Sequence, residues 1–172
     1  MKAFISHKSE DMNTAATLIA DRLEDINYEY YFDKNDPDIS KSLDRAKHIE
    51  SEIEECTDLI VIITKNVVSS WWVPFEIGLA TANNCRIVSV VFDNAVMKLP
   101  SFLRKWPVID TQDKLDYYLQ ELENNNNTIL QKSMENCHYN FSHQILSSMR
   151  ENSMYANDFH DKLKRKFSRI TG

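Results

Sequence analysis

At 172 residues, 42% hydrophobic and 27% charged, the chain has the size and composition of one globular domain, or of one domain with an extension. A net charge of −6 argues against nucleic acid as a partner, and no apolar run approaches the roughly 20 residues that cross a bilayer. Gly78 and Gly172 are the only glycines, which excludes a glycine-rich phosphate loop and a dinucleotide fingerprint, since each needs several.

Lys2–Ser6 reads as a first strand, and Ser9 or Asp11 as the cap of a helix whose apolar face is Met12, Ala16, Ile19, Leu23 and Ile26. Tyr28–Phe32 is strand-like, and Asp33–Asp38 carries turn chemistry. Ala46, Ile49, Ile53 and Cys56 mark a second amphipathic helix. Leu59–Thr64 is a strand whose unbroken apolar run implies burial on both faces of a parallel sheet. The next helix runs from about Ser70 to Asn83, with Ser69 or Ser70 as its cap and Pro74 tolerated in its first turn. Arg86–Phe92 is another buried strand, Pro100–Trp106 a loop anchored by Phe102, Leu103 and Trp106, and Pro107–Asp110 a short last strand. Leu115, Tyr118, Leu119 and Leu122 give its helix.

This fivefold alternation predicts an α/β fold: a flavodoxin-like open parallel five-stranded sheet, order 2-1-3-4-5, with helices on both faces. Asn124–Asn127 breaks the pattern, so the expected division is a domain at 1–123, a linker at 124–127 and a helical C-terminal extension at 128–172. The extension's apolar positions Leu130, Met134, Cys137, Phe141, Ile145 and Met149, then Phe159, Leu163 and Phe167, predict a helical hairpin. Its basic stretch Lys162–Phe167 suits a solvated helix end, or docking onto an acidic surface.

Trp72 and Glu76 are four residues apart and share a helical face. They place a carboxylate beside an indole just past the carboxyl end of a central strand, where open α/β sheets bind ligands. On the residues alone, Glu76 also reads as an ordinary first-turn glutamate, Trp72 as core or groove wall, Asp33 as a turn residue and His7 as a polar loop residue. His138 and His143 lack helical ligand spacing, and Cys137 has no partner at zinc spacing, so no metal site is expected. Cys85 has no histidine near it in the chain, which argues against a nucleophile. The three widely spaced cysteines fit reduced thiols in the cytoplasm, and Met1–Lys8 turns polar too early for a signal peptide.

From Lys2 to about Glu123 the chain resembles the Toll/interleukin-1 receptor (TIR) domain, especially its bacterial, Thoeris-type anti-phage branch. The likeness is carried by Ala3–His7 with Ser9–Asp11, by Ser70–Glu76, and by Phe102–Trp106. The loop from Phe32 lacks the arginine and the proline–glycine pair of receptor and plant members. The resemblance implies an NAD⁺ glycohydrolase or cyclase, with NAD⁺ as substrate and no cofactor. Glu76 is then catalytic, Trp72 lines the pocket, and Ser6, His7, Phe32 and Asp33 border it. It also implies TIR–TIR self-association and a separate effector protein answering the product, without membrane or nucleic acid.

The residue types suit that chemistry. Nicotinamide leaves as a neutral molecule from a cationic ring, so no general acid is needed. Positive charge develops on the ribose, as in glycoside hydrolysis. One carboxylate can stabilise that charge, and an indole can stack on the cationic ring. Two other readings stay open: a non-catalytic TIR interaction module, and a nucleoside deoxyribosyltransferase-like enzyme whose glutamate is a nucleophile.

Overall fold

The computed structural model describes residues 1–8, 11–32, 44–65, 70–92, 99, 101–135 and 153–170. Five parallel strands form one sheet in the order β2-β1-β3-β4-β5, as the alternation predicts. They are β1 (Lys2–Ser6), β2 (Glu29–Tyr31), β3 (Asp58–Ile63), β4 (Arg86–Val91) and β5 (Val108–Ile109). The central strand β3 is buried along its whole length, which explains its unbroken apolar run. The helices are α1 (Thr17–Asp25), α2 (Arg45–Glu55), α3 (Trp72–Ala82), α4 (Gln112–Glu135) and α5 (Ser153–Ile170).

The two-residue period of the strands sorts side chains between two cores. Ala3 and Ile5 of β1, Ile60 and Ile62 of β3 and Val88 and Val90 of β4 face α1, α4 and α5. Phe4 of β1, Leu59, Val61 and Ile63 of β3 and Ile87 of β4 face α2 and α3. Ser6 continues the Phe4 face, so the last residue of β1 points toward α3.

Scarce glycine has a local counterpart. Asn27 and Asn84, just past α1 and α3, take positive φ values of 50° and 54°. There Tyr28 N–H donates to Leu23 O and Cys85 N–H to Ala80 O, both at 2.9 Å. Asparagine tolerates this left-handed helix stop, which glycine more often fills.

Several expectations need correction. Asp11 does not cap a helix through its side chain, and the first turn after it, Met12–Ala16, is π-helical. Phe102 is exposed rather than anchored, while Leu103 and Trp106 are buried. The expected linker Asn124–Asn127 lies inside α4. Asn125 Nδ2 donates to Glu121 O at 2.5 Å and Thr128 Oγ1 to Asn124 O at 2.8 Å, so the polar side chains bond back along the helix. The apolar positions Leu122 and Ile129 bury on either side of the run. The described start of the first helix expected in the extension, up to Glu135, is thus part of α4. The expected helix's apolar positions Cys137, Phe141, Ile145 and Met149, like His138, His143 and the loop from Asp33, lie outside the described residues.

α5 joins the core rather than standing apart from it. Phe159, Leu163 and Phe167 bury in the same cluster as α1, α4 and the sheet. The basic stretch docks within the chain: Lys162 Nζ pairs with Glu121 Oε2 of α4 at 2.5 Å, and Lys166 Nζ lies 5.1 Å from the Tyr117 ring centroid.

At the amino edge of the sheet, Arg86 is 1% exposed and grips Asp58 through Nε at 2.8 Å and Nη2 at 2.7 Å. Tyr28 Oη and Thr57 Oγ1 also donate to Asp58 Oδ2, each at 2.7 Å. Arg86 Nη1 reaches Tyr155 Oη of α5 at 3.3 Å, and that hydroxyl donates to Asn125 Oδ1 at 3.1 Å. The buried charge pair therefore ties β3, β4, α4 and α5 together.

Candidate active site

The carboxyl edge of the sheet carries a layer of buried polar side chains. Ser6 ends β1, and Glu76 lies in the second turn of α3. The N-cap of α3 is Trp71, whose side chain makes no capping bond, while Ser70 Oγ, one residue earlier, accepts from Val73 N–H at 3.3 Å in the first turn. Glu76 is 5% exposed, and its Oε2 accepts a hydrogen bond from Ser6 Oγ at 2.5 Å. That distance is typical of a hydroxyl donating to a carboxylate.

His7 packs edge-on against Phe32, ring centroids 5.1 Å apart, and its Nδ1 lies 3.2 Å from Ile5 O. Both rings are buried. Trp72 is half-buried against the α2/α3 core, edge-on to Phe75. Its ring carries the Arg45 guanidinium at 4.8 Å, so a cation from the first residue of α2 already lies on the indole. Asp33 lies outside the described residues. The structure thus joins Ser6 to Glu76 and His7 to Phe32, and gives Trp72 a cationic neighbour.

Sequence reasoning missed two members of this edge. Thr64, the residue after β3, donates from Oγ1 to Asp11 Oδ2 at 2.7 Å, and both are buried. The signal was the first hydroxyl after the apolar run Leu59–Ile63. Arg45 carried a weaker sign, its place beside Asp44, whose side chain caps α2 by accepting from Lys47 N–H at 3.1 Å. Trp71, next to Trp72, is 92% exposed.

Cys56 and Cys85 are buried, and burial pushes the Cys56 thiol well above its usual range. Cys85, isolated from histidine in sequence, shares a cavity wall with His160 of α5. Among the described residues no group of three or more His, Cys, Asp or Glu could hold a metal ion. No described helix is long and apolar enough to cross a membrane.

A glutamate on the third helix, met by a hydroxyl from the end of the first strand of a 2-1-3-4-5 sheet, defines an open α/β domain with its polar site at the strand ends. The chain belongs to the TIR domain family, whose profile matches residues 3–126. It is similar in structure to the TIR domain of the Toll-related receptor TRR-2 from the lower metazoan Hydra magnipapillata. That match has 16% identity and a TM-score of 0.59, over 70% of this chain and 96% of that one. It is also similar to a metazoan TIR-STING receptor from C. gigas, with 23% identity and a TM-score of 0.55, over 70% of this chain and 39% of that one. At these identities the likeness is one of fold. No curated protein gives a significant match.

Proposed function

We propose that the chain is a TIR-type NAD⁺ glycohydrolase that breaks the nicotinamide–ribose bond with Glu76 as its catalytic residue. The observation that carries this reading is the Glu76 carboxylate, buried at the carboxyl edge of the sheet and held by Ser6 Oγ at 2.5 Å. A carboxylate fixed before substrate arrives needs little reorganisation when positive charge develops on the ribose, which is where preorganised charge lowers a barrier most. Ser6 orients it. Trp72, steadied by Arg45, forms the aromatic wall, and His7, Phe32 and Asp33 border the pocket. NAD⁺ is the substrate, and no cofactor takes part. The product is ADP-ribose, a cyclic isomer or a conjugate.

The reading extends to antiviral defence of the bacterial type, in the cytoplasm, with TIR–TIR self-association and a separate effector that answers the product. The test is a mass spectrum of the small molecules made from NAD⁺ by wild type and by Glu76→Gln. Nicotinamide release by wild type alone supports the assignment, and equal turnover by the variant overturns it.

A second reading, a non-catalytic interaction module, draws on the same hydrogen bond, because a glutamate that ties α3 to β1 also serves the fold. The exposed Trp71 beside the site offers such a module a contact. Intact NAD⁺ in cells expressing the protein under phage challenge favours this reading.

A further inference from the structure

At the opposite end of α3 from Glu76, a cavity of about 340 Å³ opens between α3, β4, the 3-10 turn Ser101–Lys105 and α5. That is within the usual size of a small-molecule site. Asn84, Lys105, Trp106, Asn157, His160 and Lys164 meet on its walls, from both the sheet domain and α5.

The polar groups there are mostly donors. His160 Nε2 accepts the Ile87 backbone N–H at 2.7 Å. In a neutral imidazole the other nitrogen then carries the proton. Burial, reinforced by Lys164, lowers the His160 pKa to about 4, so the ring is neutral near pH 7. Its Nδ1–H has no partner among the described residues, although the side chain is buried. Lys164 Nζ donates to Lys105 O, and Lys105 Nζ lies 5.5 Å from the Trp106 ring centroid. Neither ammonium meets a carboxylate among the described residues. Asp161, exposed at the rim, is the one acid in the lining. Trp106 and Ile87 supply a flat, apolar side.

We propose that this cavity is a second ligand site, for a small organic anion: a carboxylate or phosphate carried on a flat ring. The anion meets Lys105, Lys164 and the His160 Nδ1–H, and the ring lies against Trp106. Because the walls come from both α5 and the sheet domain, an occupant holds α5 in place, and binding raises stability by mass action. The site stands independently of the activity assigned to Glu76.

The experiment titrates the full chain with AMP and with salicylate, and with adenosine as the uncharged control. It follows the Trp106 indole N–H by ¹⁵N NMR, assigned with Trp106→Phe, alongside the melting temperature. At least one anion is expected to move that resonance saturably and to raise the melting temperature by about 2 °C or more, with adenosine about tenfold weaker. The AMP and salicylate arms decide between phosphate and carboxylate. Lys105→Ala/Lys164→Ala, at two exposed positions, should bind about tenfold more weakly, and Lys105→Arg/Lys164→Arg should retain binding. A Trp106 resonance unmoved by both anions overturns the proposal, as does undiminished affinity in the alanine variant.

Discussion

Ser6 and Glu76 are 70 positions apart in the chain, and a 2.5 Å hydrogen bond joins the hydroxyl at the end of β1 to the carboxylate on α3. The bond fixes the carboxylate and also links strand to helix, so its two ends should respond differently to mutation. Glu76→Gln keeps the shape and a hydrogen-bonding oxygen but removes the charge. It should cost no more than about 1 kcal/mol of stability and lower nicotinamide release by about a hundredfold or more. Ser6→Ala leaves the charge but removes the hydrogen bond that the Ser6 hydroxyl gives it, and should cost about 1–3 kcal/mol. Its loss of rate should be smaller than that of Glu76→Gln. Urea denaturation and a nicotinamide assay on both variants check the split.

Leu163 of α5 is fully buried, in the same cluster as Leu119 and Leu122 of α4. Leu163→Ala should therefore cost about 2–5 kcal/mol, the range for a core leucine, where an appended hairpin would lose far less from the domain. Unfolding followed at the sheet and at α5 should give one coincident transition. Two separate transitions would show that α5 folds apart from the sheet domain.

The same helix marks where sequence pattern reaches its limit. The sheet order is legible because Leu59–Ile63 and Ile87–Phe92 are apolar runs that only a strand buried on both faces requires. Ser70 and the Trp72–Glu76 spacing likewise locate the start of α3 and the acid it carries. The asparagine run misleads because helix propensity is a weak prior that tertiary contacts override. The bond from Tyr155 Oη to Asn125 is such a contact, and it comes from a helix 30 positions away. The His160 pairing was illegible for a related reason. It depends on β5 pairing with β4 only at Ser89 and Val90, which leaves the Ile87 N–H beyond the ladder. The Arg45–Trp72 contact likewise joins two helices that β3 separates in the chain, and no periodicity within either helix encodes it.

Asp58 and Arg86 are almost completely shielded from water, and the geometry between them is bidentate. Breaking such a pair from one side leaves an uncompensated buried charge. Arg86→Met and Asp58→Asn should each cost about 3–5 kcal/mol. The double variant removes both charges, so it should cost clearly less than the sum of the two, and a double-mutant cycle by urea denaturation measures the difference. Tyr28, packed on Asp58, holds its phenol well above the ordinary range, first through burial and then through that carboxylate. In Asp58→Asn, spectrophotometric titration should show the Tyr28 phenol ionising at lower pH than in wild type.

His160 provides a pH dependence whose sign follows from its surroundings. Burial first, and Lys164 next, lower its folded pKa to about 4 from the ordinary value of 6.5, while Asp58 and Asp161 pull the other way and Arg86 adds to the depression. Between these two values the unfolded chain takes up a proton that the folded chain refuses. The His160 contribution is therefore fully present above about pH 6.5 and is lost as the pH falls toward 4. At about 1.4 kcal/mol per unit, the total loss is on the order of 3 kcal/mol. Carboxylates titrate in the same window, so the informative quantity is a difference. His160→Gln retains an acceptor for the Ile87 N–H but cannot be protonated there. Urea midpoints at pH 7 and pH 5 should fall more steeply for wild type than for this variant. Equal slopes would mean that His160 takes up its proton in the folded chain as readily as in the unfolded one, which would overturn the pairing with Ile87.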